Sequence, residues 1–314
     1  MGYFHELELA LLAAELYYRQ NKTQQEIAGQ LKLSRIKVQR LLQKAREAGL
    51  VKIEIVSPFP ACDALATRLC KEFGLKEAII VPIQSDSQTV IREVLGSVAA
   101  EYVGKKIADG QVIGLGWGRT IYEVVRFWNP QLKARVQVVP LFGGFGQTEP
   151  WYQANEMARR VAEALGGESH PLYAPIIVDD VKIRDALLSD RTIGHVYRLW
   201  DKVDLAIVGI GSSLDTVTGQ LNDYVSQNER QEVEAKGVIG DIALYFFDSA
   251  GRIVNVSLND RLVGIRFDQL KRISLVVGVA GGEEKVKTIA GALRTGLLDV
   301  IVSDRKTIEV VMGS

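Results

Sequence analysis

Two cysteines and three histidines in 314 residues are too few for either a disulfide framework or a zinc cluster. Cys62 and Cys70 fall eight residues apart in an expected helix and read as small buried hydrophobes. No run of about 18 uncharged apolar residues occurs, which excludes a membrane-spanning helix. Glu6, Glu8 and Glu15 interrupt the apolar N-terminus, unlike a secretory signal, so a cytoplasmic location is expected. Basic and acidic residues balance at 38 each, so no uniform field covers the surface to coat nucleic acid or membrane. Neither a P-loop nor a full dinucleotide fingerprint is present, and no cofactor is implied.

Against that neutral background, Thr23 to Leu50 stands out. Thr23 with Glu26 three residues on forms a capping box, and Ile27, Ala28 and Leu31 mark the apolar side of a first short helix. Ser34 caps a second, in which Val38, Leu41, Leu42 and Ala45 recur at i, i+3, i+4 and i+7. Arg35, Ile36, Lys37, Gln39, Arg40 and Lys44 fall outside this stripe, and Gly49 ends the helix. From Lys22 to Lys52 there are eight basic and two acidic residues, a local excess that suits phosphate binding. Two helices around a tight turn, the second basic, read as a helix-turn-helix that enters a DNA major groove. Arg and Lys would donate to guanine and Gln would pair with adenine. The candidate DNA-binding residues are Thr23, Ser34, Arg35, Lys37, Gln39, Arg40 and Lys44.

An amphipathic helix over 6–20 would pack beneath this motif, with Tyr17 and Tyr18 as packing aromatics. Alternating Val51, Ile53 and Ile55 predict a strand resembling the wing of a winged helix. Ser57-Pro58-Phe59-Pro60 breaks regular structure. The expected division is therefore a DNA-binding domain over 1–56, a linker over 57–60 and a second domain over 61–314.

In that second domain helical stretches alternate with short β-branched runs, the pattern of a doubly wound, mostly parallel α/β sheet. Helices are expected at 61–73, 88–108, 120–128, 153–165, 180–188, 193–200, 229–235, 283–295 and 304–312. Strands are expected at 77–81, 111–115, 135–141, 204–209, 242–247, 274–280 and 298–302. Four strands end in glycine-rich turns: VIGLGWGRT (112–120), VVPLFGGFG (138–146), AIVGIGSS (206–213) and LVVGVAGGEEK (275–285). Open parallel sheets bind ligands at the carboxyl ends of their strands. Glycine there admits an anion to backbone N–H groups at a helix N-terminus. Arg119 and Thr120 add charge and a hydroxyl. Lys285, expected in the first turn of a helix, is unfavourable there unless an anion compensates it. Together the loops predict a cradle for a phosphate or a polyhydroxyl ligand. Trp151 and Tyr152, after Pro150, read as loop packing more than as a stacking pair.

The chain resembles the SorC family of bacterial sugar-sensing transcription regulators over essentially its whole length. The resemblance is carried by YYRQNKTQQEIAGQLKLSRIKVQRLLQKAREAGLVKIEI and, further on, by GLGWGRT, VPLFGG, DLAIVGIGS, GVIGDIALYFFDSAGRIV, NDRLVGI and VGVAGGEEKVKTIAGALRTG. It implies a sugar-phosphate isomerase/deaminase-like effector domain, a homotetramer, and a phosphorylated sugar that alters operator affinity. Carried over by motif, the effector site comprises Gly116, Gly118, Arg119, Thr120, Gly143, Gly144, Gly209, Gly211, Asp241, Asn259, Arg261, Gly282 and Lys285. The closing VSDRKTIEVV departs from the family's usual run, so Asp304 is not carried over.

The expected partners are thus double-stranded operator DNA, a sugar or sugar-phosphate effector and further copies of the chain, with no membrane. The alternative is a sugar-phosphate isomerase or deaminase. No histidine or carboxylate pair stands beside the loops as an acid/base set, and an enzyme has no use for residues 23–56. A helix-turn-helix that contacts protein in place of DNA fits the basic face least.

Overall fold

The computed structural model describes residues 2–51, 60–129, 131–146, 153–212 and 224–313. The chain divides into two compact units, Met1–Pro58 and Phe59–Ser314. The expected wing and linker lie outside the described residues, save for Val51 and Pro60, as do Trp151 and Tyr152.

In the first unit α1 (Gly2–Ala14) runs into one π-helical turn, Glu15–Arg19, and is followed by α2 (Gln24–Leu31) and α3 (Arg35–Glu47). Ala10, Ala13 and Ala14 are small enough to let α1 approach closely, and they close a core with Ile27, Val38, Leu41, Leu42 and Ala45. Tyr17 packs at the edge of that core, while Tyr18 is exposed. Lys32 ends α2 in the left-handed region, with φ 55°.

The second unit begins with α4 (Pro60–Phe73), β1 (Glu77–Val81), α5 (Gln88–Gly104), β2 (Val112–Leu115), α6 (Arg119–Arg126) and β3 (Gln137–Pro140). It continues through α7 (Ala154–Leu165), β4 (Glu168–Ser169), α8 (Val181–Ser189), α9 (Ile193–Leu199), β5 (Val203–Ser212) and α10 (Gln227–Ala235). It ends with β6 (Val238–Ile242), β7 (Tyr245–Asp248), α11 (Phe267–Leu270), β8 (Leu275–Val279), α12 (Val286–Arg294), β9 (Val300–Asp304) and α13 (Arg305–Gly313). Among the described residues seven strands are parallel in the order β1-β9-β8-β5-β2-β3-β4, and a β6–β7 hairpin is added antiparallel to the end of β5.

Each sheet face carries its own core, because side chains along a strand alternate. Leu205 and Ile207 of β5 join Leu95, Val124 and Met157 from α5, α6 and α7. Ala206, Val208 and Ile210 join Leu69, Ile289 and Ile308 from α4, α12 and α13 on the other face. The buried Trp200 indole donates to Pro140 O at 2.9 Å.

Several expectations need correction: α5 ends at Gly104, four residues before the expected 108, and β5 runs to Ser212, three past the expected 209. The single strand expected at 242–247 is a hairpin whose two-residue turn, Ala243-Leu244, has positive φ at both positions. The final strand runs to Asp304, two residues past the expected end.

Candidate functional site

In the first unit the two helix caps form as their residue types dictate. Thr23 Oγ1 accepts from Glu26 N at 3.3 Å and donates to Glu26 Oε2 at 2.8 Å, while Thr23 N donates to the same carboxylate oxygen at 2.8 Å. The Thr23 backbone and hydroxyl hold the Glu26 carboxyl below its ordinary range. Ser34 Oγ accepts from Lys37 N at 3.2 Å. Both hydroxyls are thus engaged as caps.

Lys37 and Lys44 are also engaged. Lys37 donates to Glu6 Oε1 at 2.9 Å and Lys44 to Glu6 Oε2 at 2.6 Å. These bonds, that from Lys44 the stronger, hold the Glu6 carboxyl down at about 2. Both lysines lie outside the apolar stripe, as expected, and share Glu6 on the flank of α3 that meets α1. Arg35, Gln39 and Arg40 are exposed with no hydrogen bond or ion pair among the described residues. Ile36 stands beside them, 65% exposed in the first turn of α3.

In the second unit a cavity of about 200 Å³ opens at the carboxyl ends of β2, β5 and β8. β2 leads outward to β3 and β4, whereas β5 leads the other way to β8 and β9, so the cavity lies at the topological switch point. Gly116, Gly118, Arg119 and Thr120 line it from the β2–α6 turn, Gly209 and Gly211 from β5, and Lys285 from the turn after β8. Asp241 lines it from β6. Ser212 and Glu284 add to the polar side, as do Arg92 and Gln88 of α5, and sequence reasoning missed the last two. Their one signal is position: α5 follows β1, whose carboxyl end lies at the same edge. Trp117 and Phe145, with ring centroids 4.2 Å apart, form an apolar wall with Phe142 and Leu244.

Lys285 closes a 3-10 turn one residue ahead of α12, and not the first turn of a helix from 283 as expected. Its ammonium donates to Ser212 Oγ at 2.7 Å and Ile210 O at 3.1 Å. Burial pulls its pKa down, with Asp241 opposing the shift. Asp241 is 7% exposed, and burial pushes its carboxyl up to about 6 despite the Leu244 N–H and Lys285. Asp241 Oδ2 accepts from Leu244 N at 2.9 Å. The cavity therefore brings an expensive cation and an expensive carboxyl to one place, the electrostatic mark of a ligand site.

Five of the residues carried over by motif do not line this cavity. Gly143 and Gly144 are pressed against the Ala174–Pro175 backbone, where a Cβ on Gly143 would meet two carbonyl oxygens. Gly282 N donates to Asp304 Oδ2 and Thr307 Oγ1, both at 2.8 Å, which fixes the turn that carries Lys285. Asn259 Nδ2 donates to Leu244 O at 2.8 Å and so braces the Ala243-Leu244 turn from behind. Arg261 pairs with Glu229 at 2.7 Å and donates to Val178 O at 2.6 Å. Burial raises Glu229, but the bonds from Arg261 and Ser226 outweigh it and bring the carboxyl below its usual range.

A doubly wound domain with a charged cavity at its switch point, joined to a capped helix-turn-helix, defines a class of ligand-responsive regulators. Residues 57–313 match the family described as "Putative sugar-binding domain". The chain is 32% identical over 306 residues to the deoxyribonucleoside regulator of Bacillus subtilis (strain 168), covering 98% of this chain and 97% of that one. It is 30% identical to the sorbitol operon regulator of Klebsiella pneumoniae, with 98% of each chain covered. The crystal structure of full-length SorC from Klebsiella pneumoniae superposes with a TM-score of 0.76 at 31% identity, covering 97% of this chain and 98% of that one. The chain belongs to the SorC-type transcriptional regulators that carry this sugar-binding domain. Among the described residues no helix is long and apolar enough to cross a membrane.

Proposed function

We propose that this regulator binds operator DNA through α2, the turn and α3, and that a phosphorylated sugar in the switch-point cavity changes that affinity. The observation that carries the effector reading is the placement of Lys285, half-buried in the turn after β8, with Arg92 and Arg119 lining the same cavity. A phosphate supplies anionic charge where three cations outnumber the Asp241 and Glu284 carboxylates that line the same cavity. Asp241 is placed to accept from a sugar hydroxyl, and Trp117 offers an apolar face to the ring. On the DNA side, Arg35, Gln39 and Arg40 carry base-reading chemistry, and exposed Ile36 suits a thymine methyl.

The working form is a cytoplasmic homotetramer whose copies place recognition helices on successive half-sites. An effector that binds one quaternary state better than another shifts their populations, while equal affinity for both shifts nothing. The division of labour is residues 1–56 for DNA and 61–314 for effector and assembly. Neither task requires turnover.

Thermal melting against a panel of sugar phosphates, each paired with its unphosphorylated parent, tests the effector. A ligand at about 100 times its Kd stabilises by about 2.7 kcal/mol, enough to resolve. A shift with one phosphosugar and none with its parent supports the reading; a shift with free sugars alone overturns the phosphate.

One observation favours a sugar-phosphate isomerase or deaminase: Asp241, with a pKa near 6, shares the cavity with a lysine whose pKa is depressed. Conversion of any stabilising phosphosugar by the purified protein decides for the enzyme. Salt-sensitive duplex binding without conversion decides for the regulator.

A further inference from the structure

Lys37 and Lys44 sit seven residues apart on α3, and two turns of helix bring them to one flank. On that flank they meet α1, where Glu6 gives one carboxylate oxygen to each, at 2.9 and 2.6 Å. α1 is held against α3 by the packed Ala10, Ala13 and Ala14, so the carboxylate is presented from a second helix and not from a loose end. Arg35 and Gln39 lie toward the opposite flank, and Ile36 and Arg40 look outward between the two. The flank of α3 that meets α1 is the one placed to run beside a phosphate strand, and lysines there supply attraction that carries no sequence information.

We propose that Glu6 is an internal substitute for a DNA phosphate, which occupies Lys37 and Lys44 and leaves discrimination to Arg35, Ile36, Gln39 and Arg40. The inference rests on the docking of α3 into DNA proposed above. Its consequence is a regulator that binds random sequence more weakly than the charge of its helix-turn-helix suggests. Fewer non-specific contacts widen the ratio between operator and genome.

The test measures affinity of the full-length protein for a random-sequence duplex across a salt series, for wild type and Glu6→Gln. Released lysines add up to two phosphate contacts, so the E6Q slope of log K against log salt steepens by up to about 1.8, at about 0.9 per phosphate. Random-duplex affinity rises with it at low salt. The triple variant E6Q/K37Q/K44Q returns to the wild-type slope. Melting curves of each variant confirm that the unit is folded. An E6Q slope and affinity equal to wild type overturn the proposal. So does a flatter slope for K37Q/K44Q, since it would mean that both lysines already neutralise phosphates in the wild-type protein. Absence of any salt-sensitive duplex binding by wild type instead removes the DNA-binding reading itself, and the inference with it.

Discussion

Asp241 and Gly211 face each other in the antiparallel register of β6 and β5, and the carboxylate fills the space that a side chain on Gly211 would need. Gly211 thus lets a carboxyl press onto a strand end with only one N–H, that of Leu244, bonded to it in the described residues. A carboxyl so poorly compensated resists ionising.

Its titration gives the first prediction. The folded pKa is pushed up to about 6, above the ordinary 3.8, so between these values the folded state holds more proton than the unfolded chain. Stability therefore falls as pH rises from about 4 through 6, and the loss is complete above the folded pKa. Asp241→Asn should flatten that fall and raise stability at pH 7.5 by up to about 3 kcal/mol. Denaturant melts of both proteins at pH 4.5 and 7.5 check it. Parallel pH dependences would mean that Asp241 is ionised in the fold throughout.

Lys285 separates ligand binding from folding. Its half-buried ammonium donates to Ile210 O and Ser212 Oγ, and desolvation disfavours its charged form. Lys285→Met keeps the length of the side chain and removes the charge, so effector-free stability should hold or rise. The melting shift with a phosphosugar should vanish, while duplex binding without effector stays near wild type. Loss of duplex binding by effector-free K285M would show that Lys285 supports the fold and not the ligand.

The β6–β7 turn puts two non-glycine residues in the left-handed region, Ala243 at φ 51° and Leu244 at φ 62°. Each costs about 1–2 kcal/mol in that conformation. At Ala243 glycine relieves strain and gives up one methyl, so Ala243→Gly should change stability by about 1 kcal/mol or less, in either direction. At Leu244, which is 9% exposed, relief cannot offset the lost isobutyl group, and Leu244→Gly should cost about 2–4 kcal/mol. Denaturant midpoints rank the two. Equal losses would mean that the Leu244 side chain contributes no packing.

How far the sequence discloses this protein depends on whether a feature is local. Caps at Thr23 and Ser34, the stripe Val38–Leu41–Leu42–Ala45 and the alternation along β5 follow from neighbours a few residues apart, and they are legible. The cavity is half legible: glycine turns after β2 and β5 mark strand ends, and Lys285 marks itself as a cation at a helix start. Arg92 carries no such mark, because only the assembled sheet brings α5 beside α6, β8 and β9. The hairpin at 238–248 is hidden because Ala243-Leu244 lacks the Asn-Gly or Asp-Gly that announces a two-residue turn. Asn259 and Arg261 have the chemistry of ligand contacts, yet one braces that turn and the other pairs with Glu229, 32 residues away in sequence. Glu6 is 31 residues from Lys37 and 38 from Lys44, so no helical spacing links them.

Arg40 gives the sharpest test of the DNA side. With Lys37 and Lys44 paired to Glu6, Arg40 is the exposed arginine nearest the middle of the outward face of α3, one turn after Ile36. An arginine there can donate both N–H groups to one guanine, and a bidentate contact of this kind discriminates by about 1–3 kcal/mol. Selection from a random duplex library identifies the operator, against which Arg40→Ala should lose about 1–3 kcal/mol of affinity, concentrated at one base pair. The same variant should bind random duplex only slightly more weakly, since a base contact contributes little where no matching base is present. Equal losses on operator and random duplex would assign Arg40 to a phosphate and leave base readout to Arg35 and Gln39.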